Sequence, residues 1–278
     1  MCGIVGYIGS QEAYPILIKG LKRLEYRGYD SAGVAIMNNG LHLYKKKGKV
    51  ADLEGVADDQ PHHGTLGIAH TRWATHGEPS DVNSHPHASQ SGKLVLVHNG
   101  IIENYSSLKE ALRSRGFTFH SETDTEVLVN LIEHLKDAEK LDLESAVRTA
   151  LNQVIGAYAI AVFDVDHPEQ IVVARKGSPL VIGIGKGEYF IASDASPFLE
   201  YTKKAIYLDD DEMAVVDLKK GVTVRNITHN RKVDPLIHQL QLDLASIEKG
   251  GYDHFMLKEI YEQPKAIEDT FRGRLLPE

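Results

Sequence analysis

Thiols are nearly absent from this chain. One cysteine, Cys2, stands in 278 residues, so no intrachain disulfide forms and no multi-thiolate zinc site can be built. Such usage fits a reducing, cytoplasmic compartment. Long apolar runs are missing too. The longest, such as Gly156 to Phe163, fall far short of the roughly 20 residues that a membrane span needs, and no basic stretch precedes a hydrophobic one at the start. No membrane association is expected. Positive charge is in deficit, with 31 Lys and Arg against 39 Asp and Glu for a net charge of −8, which argues against nucleic acid as a general partner. Neither a P-loop nor a dinucleotide fingerprint occurs, since Gly183-Ile184-Gly185-Lys186-Gly187 has the spacing of neither. There is no fixed-period repeat.

What is present is an ordinary globular composition, 42% hydrophobic and 25% charged, in a chain long enough to bury a core without a staple. Ile4 to Ile8 reads as a buried strand and Ala13 to Leu24 as a helix with Ile16, Leu17, Leu21 and Leu24 on one face. Val34–Met37 and Leu41–Tyr44 form a hairpin around Asn38-Asn39-Gly40, whose residues accept positive φ. Strands at Leu66–His70 and Leu94–His98 flank a long polar segment rich in His, Pro and Ser, and a loop of that length inside a compact domain usually carries function. A helix near Asn104 should bury Leu108, Ala111 and Leu112. The next begins at Thr123, where Thr123 and Glu126 make a capping-box pattern, and buries Leu128, Leu131, Ile132 and Leu135; a third spans Leu143 to Val154. Strands follow at Tyr158–Val165, Ile171–Ala174, Leu180–Ile184, Tyr189–Ala192, Glu212–Val216 and Val222–Asn226. Strands joined by short turns, with helices gathered in blocks, predict antiparallel sheets and an α+β class rather than a βαβ alternation. From about Ser246 the texture changes; Asp253 to Phe271 looks helical but interrupted at Pro264, and Leu275-Leu276-Pro277-Glu278 reads as the start of something further.

Four features bear on chemistry. Cys2 is, at an arbitrary position, best read as a small buried residue. At position two, removal of Met1 would leave it with a free α-amine of reference pKa about 7.7–8.0, a base beside its own thiol. In His70-Thr71-Arg72-Trp73-Ala74-Thr75-His76-Gly77, Arg72 is either a surface arginine beside a core tryptophan or a fork for a carboxylate. His98-Asn99-Gly100 is either a plain turn or a pair of donors, the Asn amide and a glycine N–H, for an oxyanion. Asp124 either complements a helix dipole or holds an ammonium group. Arg72 and Asp124 together suit the two ends of a zwitterion, so a free amino acid is the natural ligand. Histidines at 62, 63, 70, 76, 85, 87 and 98 invite a metal reading, but there is no HExxH, and His85-Pro86-His87 offers only two imidazoles; no metal and no cofactor are expected. Lys45-Lys46-Lys47 reads as a solvated strand end.

Taken in order, Cys2-Gly3-Ile4-Val5-Gly6-Tyr7, Leu24 to Gly33, His70 to Gly77, His98 to Asn104, Ser121 to Glu126 and Glu248 to Ile260 resemble the glutamine–fructose-6-phosphate aminotransferase (isomerizing) family of class II glutamine amidotransferases. The resemblance implies an N-terminal nucleophile hydrolase fold, a four-layer αββα sandwich with antiparallel sheets. It implies hydrolysis of L-glutamine to glutamate and ammonia, residues 1–240 being the glutaminase domain. Residues 241–278 would be a linker and first helix toward a sugar-phosphate isomerase half that the chain lacks, where the main contacts of the family's homodimer lie; the fragment itself would then be monomeric. By the same resemblance Cys2 is the nucleophile, Asn99 and Gly100 the oxyanion donors, Arg72 the α-carboxylate site and Asp124 the α-ammonium site. Thr75, His76 and His85 fall on or beside a closing loop, Trp73 matches a residue that gates ammonia, and Arg27 an arginine near the nucleophile. The competing readings are another class II amidotransferase (a phosphoribosylpyrophosphate amidotransferase or an asparagine synthetase), a catalytically silent glutamine-binding module, and a metal hydrolase.

Overall fold

The computed structural model describes residues 2–241 and 251–271. Met1, the change of texture near Ser246 and the final Leu275–Glu278 stretch lie outside the described residues. The chain divides into two compact units, Met1–Leu240 and Gln241–Glu278. Numbered along the chain, the first unit holds β1 (Gly3–Ile8), α1 (Ala13–Leu24), β2 (Ser31–Met37), β3 (Leu41–Lys47), α2 (Val50–Ala57), β4 (Leu66–Arg72), β5 (His87–Ala88) and β6 (Leu94–Ile102). It continues with α3 (Tyr105–Arg113), α4 (Asp124–Ala138), α5 (Leu143–Leu151), β7 (Gly156–Asp164), β8 (His167–Lys176), β9 (Val181–Ile184) and β10 (Tyr189–Ala192). β11 (Lys204–Tyr207), β12 (Glu212–Asp217), β13 (Gly221–Asn226), β14 (Lys232–Val233) and β15 (Ile237–Gln239) complete it. In the second unit α6 runs Phe255–Phe271.

Two sheets result, ordered β15-β11-β9-β10-β1-β4-β2-β3 and β14-β13-β12-β8-β7-β6-β5, and neighbouring strands run antiparallel. Side chains alternate across each strand, which sorts them into layers. Ile4, Ile8, Leu66, Ile68, Val95, Val97, Ala159, Ala161 and Phe163 meet in one fully buried cluster between the sheets. Their neighbours Leu94, Leu96, Ile160 and Val162 face outward and pack with Val127, Leu128, Leu131 and Ile132 of α4 and Val147 of α5. On the far side α1 lies on β1 and β4, and α2 on β2 and β3. The arrangement is the four-layer α+β sandwich expected.

The Asn38-Asn39-Gly40 turn forms as predicted, with φ of 50° at Asn39 and 145° at Gly40. Other expectations need correction. α2 and the short strands β5, β11, β14 and β15 carry too weak a periodicity to be foreseen. Ala111 is exposed and only Leu112 of α3 is fully buried, because α3 packs against α4 along a narrow edge. Thr123 Oγ1 does accept from the Glu126 N–H at 3.3 Å, but the Glu126 carboxylate does not reciprocate. It takes the N–H groups of His120 and Ser121 and the Ser121 hydroxyl instead. Helix α6 continues through Pro264, where the missing N–H costs one hydrogen bond without ending the helix. Among the described residues no helix is long and apolar enough to cross a membrane.

Lys45 departs most from its reading as a solvated end. It shares the slot-facing register of Leu41 and Leu43, its ammonium donates to Val82 O at 2.9 Å, and burial lowers its pKa to about 8. Lys46 and the Lys47 N–H both engage Asp81. The segment between β4 and β5 is thereby pinned into the sheet edge. Its His85 carbonyl lies so close to β2 that a Cβ at Gly33 would stand 2.1 Å from it. Replacing Gly33 with alanine should therefore cost about 1–3 kcal/mol, the usual range for overpacking, and an unchanged urea midpoint would refute the close approach.

Where the apolar layer ends, the slot is filled by imidazoles. The rings of His70 and His85 stand 4.2 Å apart and those of His85 and His87 4.9 Å. Burial holds His70 down at about 3 and keeps His85 and His87 well below the usual histidine range. All three are neutral in the fold and take up protons on unfolding. Their stabilising effect is complete above about pH 6.5 and is lost as pH falls toward their folded values, at about 1.4 kcal/mol per pH unit for each. Tm should drop by roughly 10 °C or more between pH 7 and pH 5, before carboxylates titrate; a Tm constant over that interval would contradict neutral burial.

Candidate active site

The same alternation that sorts the core delivers the site. Residues 2 on β1's register, 70 and 72 on β4, 99 on β6 and 193 just past β10 all continue the slot-facing rows. At one end of the slot the apolar side chains therefore give way to Cys2, His70, Arg72, Asn99 and Ser193. A narrow cleft opens there, lined by Cys2, Arg72, Trp73, Thr75, His76, His85, His98, Gly100, Thr123, Asp124 and Thr125.

Cys2 is partly buried. Its Sγ accepts from Trp73 N–H at 3.2 Å and donates to Trp73 O at 3.5 Å. Burial pushes the thiol up, partly opposed by that N–H and by Arg72, while Asp30 adds to the rise. A resting thiol rather than a thiolate is the consequence, so attack on a substrate needs a base. The Cys2 carbonyl is held by two donors, Arg27 Nε at 3.1 Å and Asn99 Nδ2 at 3.0 Å. Arg27 is anchored in turn by Asp194 at 3.3 Å, which also accepts from Tyr26. Arg27 and Asn99 thus stand behind Cys2 and fix its backbone.

Arg72 is only 4% exposed. Its Nη2 donates to the carbonyls of His76 and Gly77, tying down the loop that follows β4, while Nη1 is buried with no partner. Burial lowers its hold on the proton, and Asp30, Cys2 and Asp124 oppose that. A buried cationic donor without an acceptor is costly, and in a cleft it marks the seat of an anion. Across the cleft Asp124, at the first turn of α4, is also 4% exposed. One oxygen accepts from Ile102 N–H at 2.8 Å, the other is 3.5 Å from the Thr125 hydroxyl. His98 lies 4.0 Å from it and is held below its ordinary range by burial, which outweighs the carboxylate.

Gly100 sits at φ +133°, and a Cβ there would be 2.0 Å from Ala157 O, so only glycine fits. Trp73 is half exposed with Tyr29 edge-on at 5.6 Å. Thr75 and His76 lie on the cleft rim, His76 against Tyr105 at 5.3 Å; Ala74 N–H is held by Asp30. His85 lies deeper than a loop residue would, its ring tilted 33° against that of His70 and its Nδ1 accepting from His98 N–H at 3.4 Å. Cys2, Arg72, Trp73, Thr75, His76, His85, Gly100 and Asp124 thus line one cleft, with Arg27 and Asn99 behind it, whereas His62 and His63 lie elsewhere, beside Tyr14. Ser193 was not foreseen. It accepts from Ile4 N–H across 189 residues and from Asn99 Nδ2 at 2.9 Å, and nothing local in Ile191-Ala192-Ser193-Asp194 signals it. Among the described residues no group of three or more His, Cys, Asp or Glu is arranged to hold a metal ion.

Comparison with known proteins agrees with this geometry. The family described as "Glutamine amidotransferase domain" matches residues 51–241. The glutamine–fructose-6-phosphate aminotransferase [isomerizing] of Bacteroides thetaiotaomicron is 60% identical over 277 residues, covering 99% of this chain and 45% of that protein. Its counterpart in Chlorobaculum tepidum is 56% identical over 281 residues with the same coverage. The chain therefore spans less than half the length of these relatives. Among solved structures, glutamine phosphoribosylpyrophosphate amidotransferase from B. subtilis superposes with a TM-score of 0.71 at 28% identity, over 83% of this chain and 50% of that one. The sandwich is that of the N-terminal nucleophile amidotransferases, and the chain belongs to the glutamine amidotransferase domain family.

Proposed function

We propose that the chain hydrolyses L-glutamine to L-glutamate and ammonia, as the glutaminase part of a glutamine–fructose-6-phosphate aminotransferase, and that a sugar-phosphate isomerase half outside this chain uses the ammonia to make glucosamine 6-phosphate. The observation that carries the reading is the convergence in one cleft of a thiol, an unpartnered buried guanidinium nitrogen and a buried carboxylate. The α-carboxylate of glutamine takes Arg72 Nη1, its α-ammonium takes Asp124, and the side-chain amide is left facing Cys2. After removal of Met1, the α-amine of Cys2 takes the thiol proton as Sγ bonds to the amide carbon. The Gly100 N–H and Asn99 Nδ2, which turns one of its two protons from the Cys2 carbonyl or Ser193 Oγ to the ligand, stabilise the oxyanion that forms. The C–N bond breaks as the amine returns the proton to the leaving nitrogen, and water then cleaves the thioester to glutamate. A nucleophilic thiol works only when reduced, and the cytoplasm is the compartment proposed for it. Residues 241–278 are assigned as the link to the isomerase half, and the site calls for no cofactor.

Glutamate release by the purified chain tests this directly, with the N-terminal mass determined on the same sample. Turnover by the Met-free form that vanishes in Cys2→Ala is expected; glutamine binding without turnover in a Met-free sample would make the chain a binding module instead. The two halves of the site should separate kinetically. Arg72→Ala should raise KM by roughly 10- to 100-fold, the size of a lost charged hydrogen bond, and Arg72→Lys should not restore it, because one ammonium cannot serve both the loop carbonyls and the ligand. Asn99→Ala should instead lower kcat by roughly 10²–10³. An unchanged KM in the first variant, or a kcat loss of only a few-fold in the last, would remove that residue from its role.

A further inference from the structure

The orientation of the Asn99 amide decides whether its NH2 or its oxygen faces the nucleophile, and the two ends differ only in their hydrogen-bond partners. His70 Nε2 lies 2.9 Å from Asn99 Oδ1 and 3.1 Å from the backbone carbonyl of His98. A carbonyl oxygen only accepts, so Nε2 must carry the imidazole proton. The Asn99 atom facing Nε2–H must then be the oxygen, which leaves the NH2 to donate to Cys2 O and Ser193 Oγ. The other imidazole nitrogen, Nδ1, is buried without a partner, as suits an unprotonated lone pair, and the ring is held from behind by His85 at 4.2 Å. His70 itself is fully buried and stands apart from the cleft lining.

We infer that His70 is a positioning residue for the glutaminase reaction: its Nε2–H, pinned by the His98 carbonyl, locks the Asn99 amide with its NH2 toward the nucleophile. The inference rests on the glutaminase reading and adds to it a determinant of the oxyanion donor that lies outside the cleft. A flipped amide would present an acceptor to the oxyanion and repel it, so loss of the lock acts on the transition state rather than on glutamine binding.

Steady-state kinetics of His70→Phe, His70→Gln, Asn99→Ala and the double variant His70→Phe/Asn99→Ala test it. His70→Phe keeps a flat ring without a donor and should lower kcat by roughly 10- to 100-fold, the usual effect of removing a supporting hydrogen bond, with KM within about threefold. His70→Gln, whose amide N–H can reach both acceptors, should recover most of the loss. In the Asn99→Ala background the Phe substitution should have no further effect on kcat, since no amide remains to orient. A His70→Phe kcat within twofold of the unsubstituted chain, no recovery by Gln, or multiplicative losses in the double variant would each overturn the assignment. Should His70→Phe fail to fold, ¹⁵N NMR of histidine-labelled, unsubstituted chain decides: a neutral Nε2–H tautomer at pH 7 supports the lock, and an Nδ1–H tautomer overturns it. Absence of turnover by the unsubstituted chain would refute the glutaminase function and leave the tautomer measurement standing.

Discussion

The hydrogen bonds of one amide join the two sheets where their apolar packing stops. Asn99 belongs to β6 in the seven-stranded sheet, and its Nδ2 reaches the Cys2 carbonyl and the Ser193 hydroxyl of the eight-stranded sheet. Along most of the slot the sheets are held by Ile, Leu, Val, Ala and Phe side chains, which are non-directional and fix a separation but no orientation. A buried amide is different, because each of its lone pairs and protons must find a partner at a defined angle. Once Asn99 is satisfied by His70, Cys2 and Ser193, Cys2 has a fixed place relative to both sheets. Arg27 and Asp194 secure the same carbonyl from the opposite side. Cys2 thus owes its position to polar contacts gathered from residues 27, 99 and 193.

Electrostatics at this end of the slot follow from the same burial. Burial keeps His70, His85 and His98 neutral and the thiol protonated, and among the described residues lining the cleft the acidic and basic side chains other than histidine are Arg72 and Asp124. Two opposite charges on opposite walls bind a zwitterion in one orientation and reject it in the other, because reversal would place like charges together in a low-dielectric space. The neutral imidazoles of His85 and His98 in the cleft lining matter for that discrimination, since a cationic imidazole beside Arg72 would shift the field toward any anion. The proposed preference for a free amino acid therefore depends on the buried histidines as much as on the charged pair.

Much of this was legible in the sequence, for identifiable reasons. Cys2, Arg72, Asn99 and Asp124 stand in short runs whose residue types already suggest a thiol nucleophile, a carboxylate fork, an oxyanion donor and an ammonium site. The strands that carry them are long and strongly patterned. Ser193 and the role of His70 were not legible, because their meaning lies in contacts 94 and 29 residues away with no local signature. Lys45 was misread although a signal existed: counting by twos from Leu41 and Leu43 places it on the slot-facing row, while the run of three lysines suggested solvent. The capping pattern at Thr123 was half right, since the Glu126 carboxylate found better-placed donors upstream.

Arg72 links recognition to the loop that follows it. A guanidinium presents its donors in one plane on separate nitrogens, and here Nη2 is committed to the carbonyls of His76 and Gly77 while Nη1 is left for an anion. Binding a carboxylate at Nη1 satisfies the last buried donor of the group and so strengthens its fixed placement, and with it the placement of the loop carbonyls. The loop is also held at Ala74 by Asp30 and at Val82 by Lys45, so the stretch free to respond lies between those anchors, around Thr75 to Gly77 at the cleft rim. Ligand binding and rim order are thereby two readouts of one side chain. No second group is needed to report to the rim that the carboxylate has arrived.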